Sequence, residues 1–203
     1  MNHKRAIRQL KELQKDVKTM RLAAEGWGSE WQTLIAIALS ARTRDETTVI
    51  VAEKLFARYP TVQKLAEAKP HDVAKVIRPV NFFQNKTKHA ILCARELVAT
   101  HHGMPPHDLE QLTMLAGVGR KTANVFLAEY GASAIGVDTH VAYISRKLSW
   151  TRETNPDKIE ADLRVLFPKK EWRLLNRTLV RFGKTHQSRK KKDELLRTIA
   201  RGR

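Results

Sequence analysis

Several residue types are scarce in this sequence, and each shortage excludes a class of protein. Cys93 is the only cysteine among 203 residues, so this chain alone forms no disulfide, no thiolate zinc site and no cysteine-ligated iron–sulfur cluster. No segment reaches the roughly 18 apolar residues of a membrane span, and the basic N-terminal segment lacks the apolar core of a signal peptide. We therefore expect a protein of a reducing, intracellular compartment that does not contact a membrane.

Acidic residues are outnumbered, with 21 Asp and Glu against 38 Lys and Arg, which gives a net charge of +17. Small domains ordinarily carry a net charge of about 2 to 8, and a larger surplus attracts polyanions such as nucleic acid. Residues 3–21 carry a net +5 and residues 181–203 a net +7, so the two ends hold most of the surplus. If the two ends belong to the same lobe, they form one continuous basic surface. Otherwise they are two basic helices that are solvated independently.

Proline and glycine are also sparse, at 7 and 9 residues, and apolar residues recur mostly at spacings of three and four. This pattern predicts an all-helical protein. We predict a first helix over residues 4–24, a nearly fully buried helix over 31–41 and a last helix over 191–201. The four tryptophans are expected to pack between helices. The histidines show no metal-ligand spacing, so no tightly bound metal is expected.

The most informative segment is Leu115–Val125, in which Gly117 and Gly119 flank one valine between two predicted helices. Such glycines permit a tight turn whose backbone N–H groups point outward at the start of the next helix, a geometry that suits a phosphate. Glycine turns between helices are common, and this one alone would be weak support. One helix later, however, the sequence continues with Gly136–Val141, which reads G-V-D-T-H-V.

Together, L-x-G-V-G-R-K-T-A-N-V and V-D-T-H-V resemble the helix-hairpin-helix DNA glycosylase superfamily, and within it the endonuclease III family. The resemblance extends from about Trp31, through Asn85-Lys86, to Gly183. It implies an all-α fold of two helical lobes with a DNA-binding cleft between them. A six-helix lobe with the hairpin would span residues 23–133, and the second lobe would combine residues 1–22 with 134–203.

The resemblance assigns catalysis to Lys121 and Asp138. In the family, the lysine is the nucleophile and the aspartate assists it. The chemistry needs such a pair, because loss of a base leaves positive charge at C1′ that a carboxylate stabilises, and an amine that attacks C1′ forms a Schiff base. Taken singly, the residues favour an ordinary surface lysine at Lys121 and a helix N-cap at Asp138, because both are common. Joined in one motif pair they favour catalysis, and Asp138 can serve both purposes.

The resemblance also implies a set of DNA contacts. The expected contacts are Gly117, Val118, Gly119, Arg120 and Thr122 in the hairpin, together with His140, Arg42, Phe82 and Lys86. Arg42 aligns with a family glutamine that enters the gap left by an extruded base, and it either fills this gap or meets a phosphate. Phe82 is either a wedge between base steps or a loop residue packed on the core. His140 contacts a phosphate, orients the acid or is structural.

Three departures from the family pattern are clear. Residues 186–192 stand where the family has the first of four cysteines that bind an iron–sulfur cluster, so we expect no cluster. Ala116 replaces a proline of the hairpin. The basic segment 188–203 either contacts DNA or caps its lobe. A monovalent ion on the hairpin carbonyls is compatible with the resemblance, and no other cofactor is expected.

These features favour a base-excision-repair DNA glycosylase with β-eliminating lyase activity at abasic sites, acting on oxidised or otherwise damaged pyrimidines. Mismatched or deaminated bases, or abasic sites alone, are the alternative substrates. Two other classes stay open: a helix-hairpin-helix DNA-binding protein without catalysis, and a basic RNA- or ribosome-associated protein. We expect a monomer that binds damaged double-stranded DNA in the cytoplasm, associated with the nucleoid.

Overall fold

Helices make up the regular structure of residues 2–132 and 134–202, the part of the chain that the computed structural model describes. In chain order the α-helices of these residues are α1 (His3–Lys15), α2 (Glu30–Ser40), α3 (Asp45–Arg58), α4 (Val62–Ala66), α5 (Pro70–Ile77), α6 (Phe83–Thr100), α7 (Leu109–Met114), α8 (Arg120–Glu129), α9 (Thr139–Lys147), α10 (Pro156–Leu166), α11 (Trp172–Thr185) and α12 (Arg189–Arg201). A 3-10 turn, Lys169–Glu171, precedes α11. The described residues contain no strand, so the all-α prediction is confirmed. None of their helices is long and apolar enough to cross a bilayer.

The chain divides into two compact units. The middle unit is Arg21–Tyr130, and the terminal unit combines Met1–Met20 with Gly131–Arg203. The sequence predicted the two boundaries between the lobes after residues 22 and 133, and the structure has them after residues 20 and 130. Ser133 itself lies outside the described residues. Both basic ends belong to the terminal unit, where α1 contacts α12.

Helix α2 forms the centre of the middle unit, in contact with α3, α6 and α8. Seven of its eleven residues are buried, as expected of a helix that is apolar on most faces. Trp27 and Trp31 both meet the ring of Phe56 edge-on, with ring centroids 5.0 and 5.2 Å apart. The predicted packing of these two tryptophans is therefore confirmed. Because α2 is buried among other helices, the loop that follows it starts from a rigid element.

The terminal unit is built around α11, which contacts α1 and α9. Trp150 lies in its core, where the indole Nε1 donates to Gln9 Oε1 at 2.7 Å and the ring meets Phe167 edge-on. Trp172 donates from Nε1 to the Phe167 carbonyl at 2.8 Å. These buried donors are paired, which avoids the cost of an unsatisfied polar group in a core.

The prediction that the first helix continues to residue 24 is wrong, because α1 ends at Lys15. The end of α11 holds the next residues in a different conformation. The backbone N–H of Lys18 donates to Thr185 Oγ1 at 2.9 Å, and the ring Nε2 of His186 lies 2.9 Å from the Asp16 carbonyl. The apolar spacing continues through Val17 and Met20, but these tertiary hydrogen bonds prevail over local helical preference.

Helix α12 is docked on the terminal unit, and it begins two residues earlier than predicted. Leu196 is only 1% exposed, and Leu195 and Ile199 pack partly on the core. Asp193 accepts hydrogen bonds from the Tyr143 hydroxyl and, at 3.0 Å, from Lys147 Nζ on α9. These hydrogen bonds hold the pKa of the Asp193 carboxyl below its usual value. The basic C-terminal segment is thus a packed helix.

We predict that Asp193→Asn destabilises the protein at neutral pH and has a shrinking effect in acid. A carboxyl whose folded-state pKa is lowered stabilises the fold above its unfolded pKa, and that stability disappears as pH falls through the folded value. Urea unfolding measures the difference in the free energy of unfolding between variant and parent. It is done at pH 7 and then at decreasing pH values to below about 4, the usual pKa of an aspartate. A difference that stays constant down to the lowest pH would contradict the role of the ionised carboxylate.

Candidate active site and nucleic-acid interface

The hairpin between α7 and α8 has the backbone that its glycines predict. Gly117 adopts φ +76°, a left-handed conformation that favours glycine. The N–H of Val118 donates to the Leu115 carbonyl at 3.1 Å, which closes the turn. The Val118 side chain is buried, so only the backbone of this residue can meet a ligand.

Helix α6 packs against the hairpin and supports it. A Cβ added at Gly117 would lie 2.7 Å from Cβ of His89, so the backbone approaches α6 more closely than any side chain would allow. Glu96 accepts a hydrogen bond from the backbone N–H of Ala116 at 2.7 Å. That bond compensates for the absence of the family's proline at residue 116, because it fixes the start of the turn.

Helix α8 begins directly after the turn, with Gly119 as its N-cap residue and no side-chain cap among the described residues. Its first turn contains Arg120 and Lys121 and no acidic side chain. Lys121 is half-buried and Thr122 is buried. The helix dipole, the backbone N–H groups and these cations all favour an anion at this end of α8.

Arg42 and Phe82 come together at one edge of the middle unit. The Arg42 guanidinium lies over the Phe82 ring, 4.8 Å from its centroid. Phe82 is 55% exposed, so it is not a loop residue packed on the core. Both residues adopt positive φ, +56° and +59°, which is uncommon for residues other than glycine.

Lys86 connects the segments that hold these two residues. Its Nζ donates to the carbonyls of Leu39 and Ala41, each at 2.7 Å, and to Thr43 Oγ1 at 3.0 Å. Burial lowers the pKa of Lys86 to about 8. The structure thus directs this ammonium at the protein, whereas the sequence predicted that Lys86 contacts DNA.

Asp138 and His140 lie in the terminal unit, at the start of α9. Asp138 is the N-cap residue, and its Oδ1 accepts from the Val141 N–H at 2.8 Å. The His140 ring packs against α11, where a Cβ added at Gly183 would lie 2.3 Å from Nδ1. This close approach explains why a glycine follows Phe182, and it holds the His140 ring at the start of α9.

Sequence reasoning found the hairpin and Asp138 but missed the residues that hold them. Glu96 and His89, which hold the hairpin, had no motif to mark them. The same is true of Asn81, whose side chain donates to the Arg42 carbonyl. The contact of His140 with Gly183 joins two motifs that are far apart in sequence, so only the fold shows it. The hydrogen bond from the Asn81 backbone N–H to Thr43 Oγ1 also joins residues that are far apart in sequence. A single sequence gives no sign of it.

An iron–sulfur cluster of the family type does not fit this chain. Such a cluster needs four cysteine thiolates, whereas the sequence has one cysteine. Cys93 is buried in α6, and burial raises the pKa of its thiol to about 12. In residues 2–132 and 134–202 no three His, Cys, Asp or Glu side chains are grouped so that they could hold a metal ion.

The hairpin, the basic first turn of α8 and the capped Asp138 define a helix-hairpin-helix protein with a candidate lysine nucleophile. Residues 35–169 match the family described as HhH-GPD superfamily base excision DNA repair protein. The chain belongs to this superfamily, and within it the chain is endonuclease III-like. Its function is accordingly base excision repair by DNA glycosylase and lyase chemistry.

Two curated relatives and one solved structure show the similarity in detail. The chain is 40% identical to endonuclease III of Thermotoga maritima over 155 residues, which cover 76% of this chain and 73% of that protein. It is 41% identical to endonuclease III of Synechocystis over 143 residues, which cover 70% of this chain and 65% of that protein. A structure of a trapped endonuclease III–DNA covalent intermediate matches with a TM-score of 0.83 and 28% identity, covering 93% of this chain and 89% of that one.

We predict unequal outcomes for alanine at the two hairpin glycines. Gly117→Ala should lower the free energy of unfolding by at least about 1–2 kcal/mol, since alanine is disfavoured in the left-handed region and its Cβ would meet His89. Gly119→Ala should cost less, because φ is −87° and no atom lies within 4 Å of the added Cβ. Its only expected penalty is that alanine is a poorer N-cap residue than glycine. Denaturant unfolding monitored by circular dichroism measures both. Equal effects would contradict this description of the turn.

Proposed function

We propose that this protein removes oxidised or otherwise damaged pyrimidines from duplex DNA and cleaves the resulting abasic strand through a Schiff base on Lys121. The observation that carries the proposal is the position of Lys121 in the first turn of α8, directly after the glycine turn. A phosphate bound at the helix N-terminus would bring a deoxyribose within reach of that side chain.

The reaction begins when the neutral Lys121 amine attacks C1′ and the bond from C1′ to the base breaks, with its electron pair leaving on the base. Opening of the sugar ring gives a protonated Schiff base between Nζ and C1′. Removal of a proton from C2′ then expels the 3′ phosphate by β-elimination, and water hydrolyses the Schiff base to release the enzyme. Lys121 donates an electron pair in the first step, and the protonated Schiff base then accepts electrons during β-elimination, so the lysine itself supplies both functions.

Asp138 is proposed to stabilise the positive charge that develops on the sugar as the base departs. Its role as N-cap residue fixes the carboxylate, because Oδ1 is held by the Val141 N–H. A fixed carboxylate needs no reorganisation when charge appears, which is the condition for effective electrostatic stabilisation. We therefore assign Asp138 both functions, as a cap and as a catalytic residue. His140 is proposed to hold the start of α9 in place.

DNA binding is proposed to rest on the hairpin and on the basic ends. Backbone N–H groups of Gly117, Gly119 and Thr122, together with Arg120, would bind phosphates, which position a protein without reading sequence. The Val118 N–H is already donated to the Leu115 carbonyl, so Val118 serves to close the turn. The exposed lysines and arginines of α12 add charge on the terminal unit. We expect a monomer in the cytoplasm, associated with the nucleoid. A monovalent cation on the hairpin carbonyls stays a prediction.

Four alternatives make different predictions on the same substrates. A glycosylase for mismatched or deaminated bases would excise those bases in preference to oxidised pyrimidines, and a lyase alone would cleave only preformed abasic sites. A helix-hairpin-helix protein without catalysis would bind duplex DNA and cleave none of these substrates. A protein directed at RNA would be displaced from duplex DNA by structured RNA. A panel of duplexes with single lesions, together with RNA competition, separates these functions.

We predict that borohydride traps wild-type protein on an abasic-site duplex and that Lys121→Gln abolishes the adduct. Only an amine forms a Schiff base that borohydride reduces. Lys158→Gln is the matched control, because Lys158 also lies in the first turn of a helix, α10, and is exposed. Binding by Lys121→Gln should stay nearly intact. An undiminished adduct in that variant would place the nucleophile elsewhere.

We also predict that Asp138→Asn slows base excision by about 10²-fold or more while unfolding is unaffected. Asparagine is as good an N-cap residue as aspartate, but a neutral amide cannot stabilise positive charge at C1′ as a carboxylate does. Asp138→Ala should lose both the cap and the excision. Single-turnover excision and thermal unfolding measure the two effects. Excision at the wild-type rate in Asp138→Asn would reduce Asp138 to a structural cap.

A further inference from the structure

Arg42 and Phe82, which we call the stacked pair, have an unusual backbone. Phe82 directly precedes α6 with φ +59°, and Arg42 follows α2 with φ +56°. A residue with a bulky side chain is strained in this region, and the strain persists only when its surroundings determine its conformation strongly. Two such residues in contact across two loops indicate that the fold actively maintains this arrangement.

The hydrogen bonds that maintain it come from the residues next to Phe82. The Asn81 side chain donates to the Arg42 carbonyl, and the Asn81 backbone N–H donates to Thr43 Oγ1 at 3.1 Å. Lys86 adds the three hydrogen bonds described above, all to residues 39–43. Asn81 and Lys86 together therefore fix the loop of Arg42 to the start of α6.

The three acceptors match the three donors of an ionised lysine. A lysine in this state has no N–H left for a DNA phosphate, so a direct electrostatic contact is not its main contribution. The neutral amine has only two donors and could not satisfy all three acceptors. The lowered pKa of Lys86, about 8, agrees with a desolvated ammonium whose bonds are to the protein.

We propose that Lys86 is a positioning residue that holds Arg42 and Phe82 as one preassembled wedge, ready for the gap-filling role that the resemblance already implies for these two positions. This inference rests on the proposed function. The Phe82 ring offers an exposed surface on which a base can stack, and the stacked guanidinium offers donors for the orphaned base. Because the pair is already assembled, ordering its side chains on binding costs little, which raises affinity for DNA that contains a gap.

The wedge predicts a selective effect on binding. It should increase affinity for a duplex with a vacant base position and leave affinity for an intact duplex unchanged. The test measures dissociation constants for a duplex with a tetrahydrofuran abasic analogue, which cannot form a Schiff base, and for the same duplex without it. The ratio of the two constants is the selectivity for the gap.

We expect Phe82→Ala to reduce this selectivity by about 5- to 150-fold, the range for loss of one stacking contact between a base and an aromatic ring. Lys86→Met should reduce selectivity in the same direction, and Asn81→Ala is a second variant that loosens the same loop. Lys88→Met is the matched control, since Lys88 is an exposed lysine two residues further along α6. If Lys86 acts through the stacked pair, adding Lys86→Met to Phe82→Ala should change selectivity little further.

Three results would overturn the proposal. Equal loss of affinity for both duplexes in Lys86→Met, with the salt slope reduced by about 0.9, would make Lys86 a phosphate contact. Additive effects of Lys86→Met and Phe82→Ala would separate the lysine from the pair, and a wild-type protein without gap selectivity would show that no wedge exists. Borohydride trapping on a true abasic site, done with the wild-type protein and with Lys86→Met, tests the chemistry separately. If the wild-type protein forms no trapped adduct, the proposed function is refuted and the role of Lys86 is not at issue.

Discussion

One face of α6 fixes every part of the middle unit that we assign to DNA. Lys86, His89 and Glu96 share this face, because their spacings of three and seven residues bring side chains to nearly the same side of a helix. Lys86 holds the loop of Arg42, His89 supports Gly117, and Glu96 binds the N–H of Ala116. The loop and the hairpin are irregular backbone, so this rigid helix gives them their precision.

In the terminal unit, the C-terminal helix α12 is held by packing and hydrogen bonds. Where the family has cysteines for a cluster, this chain has α12, which is held by the buried Leu196 and by the carboxylate of Asp193. Packing and hydrogen bonds hold this helix, and the Asp193 carboxylate offsets part of the local positive charge of Lys147 and Arg189. The same helix leaves basic side chains exposed, so structural and electrostatic roles coexist on its two faces.

The sequence predicted the features that depend on local patterns. Apolar spacing identified the helices, and Gly117 and Gly119 identified a turn at the correct residues, since the left-handed region favours glycine. The end of α1 was missed because Thr185 and His186, far along the chain, stop the helix. The left-handed backbone of Arg42 and Phe82 was missed for a related reason: neither residue type favours it, and tertiary hydrogen bonds impose it. The resemblance predicted that Lys86 contacts DNA, whereas its hydrogen bonds to the loop of Arg42 suggest a positioning role.

The assignment of the nucleophile is the central claim, and its location in the chain can be measured directly. The protein is trapped with borohydride on an abasic-site duplex, the DNA is digested to the attached sugar, and the modified protein is mapped by peptide mass spectrometry. We predict that the added mass lies on Lys121, within the first turn of α8. A modification on any other lysine, or on the N-terminal amine, would contradict the account.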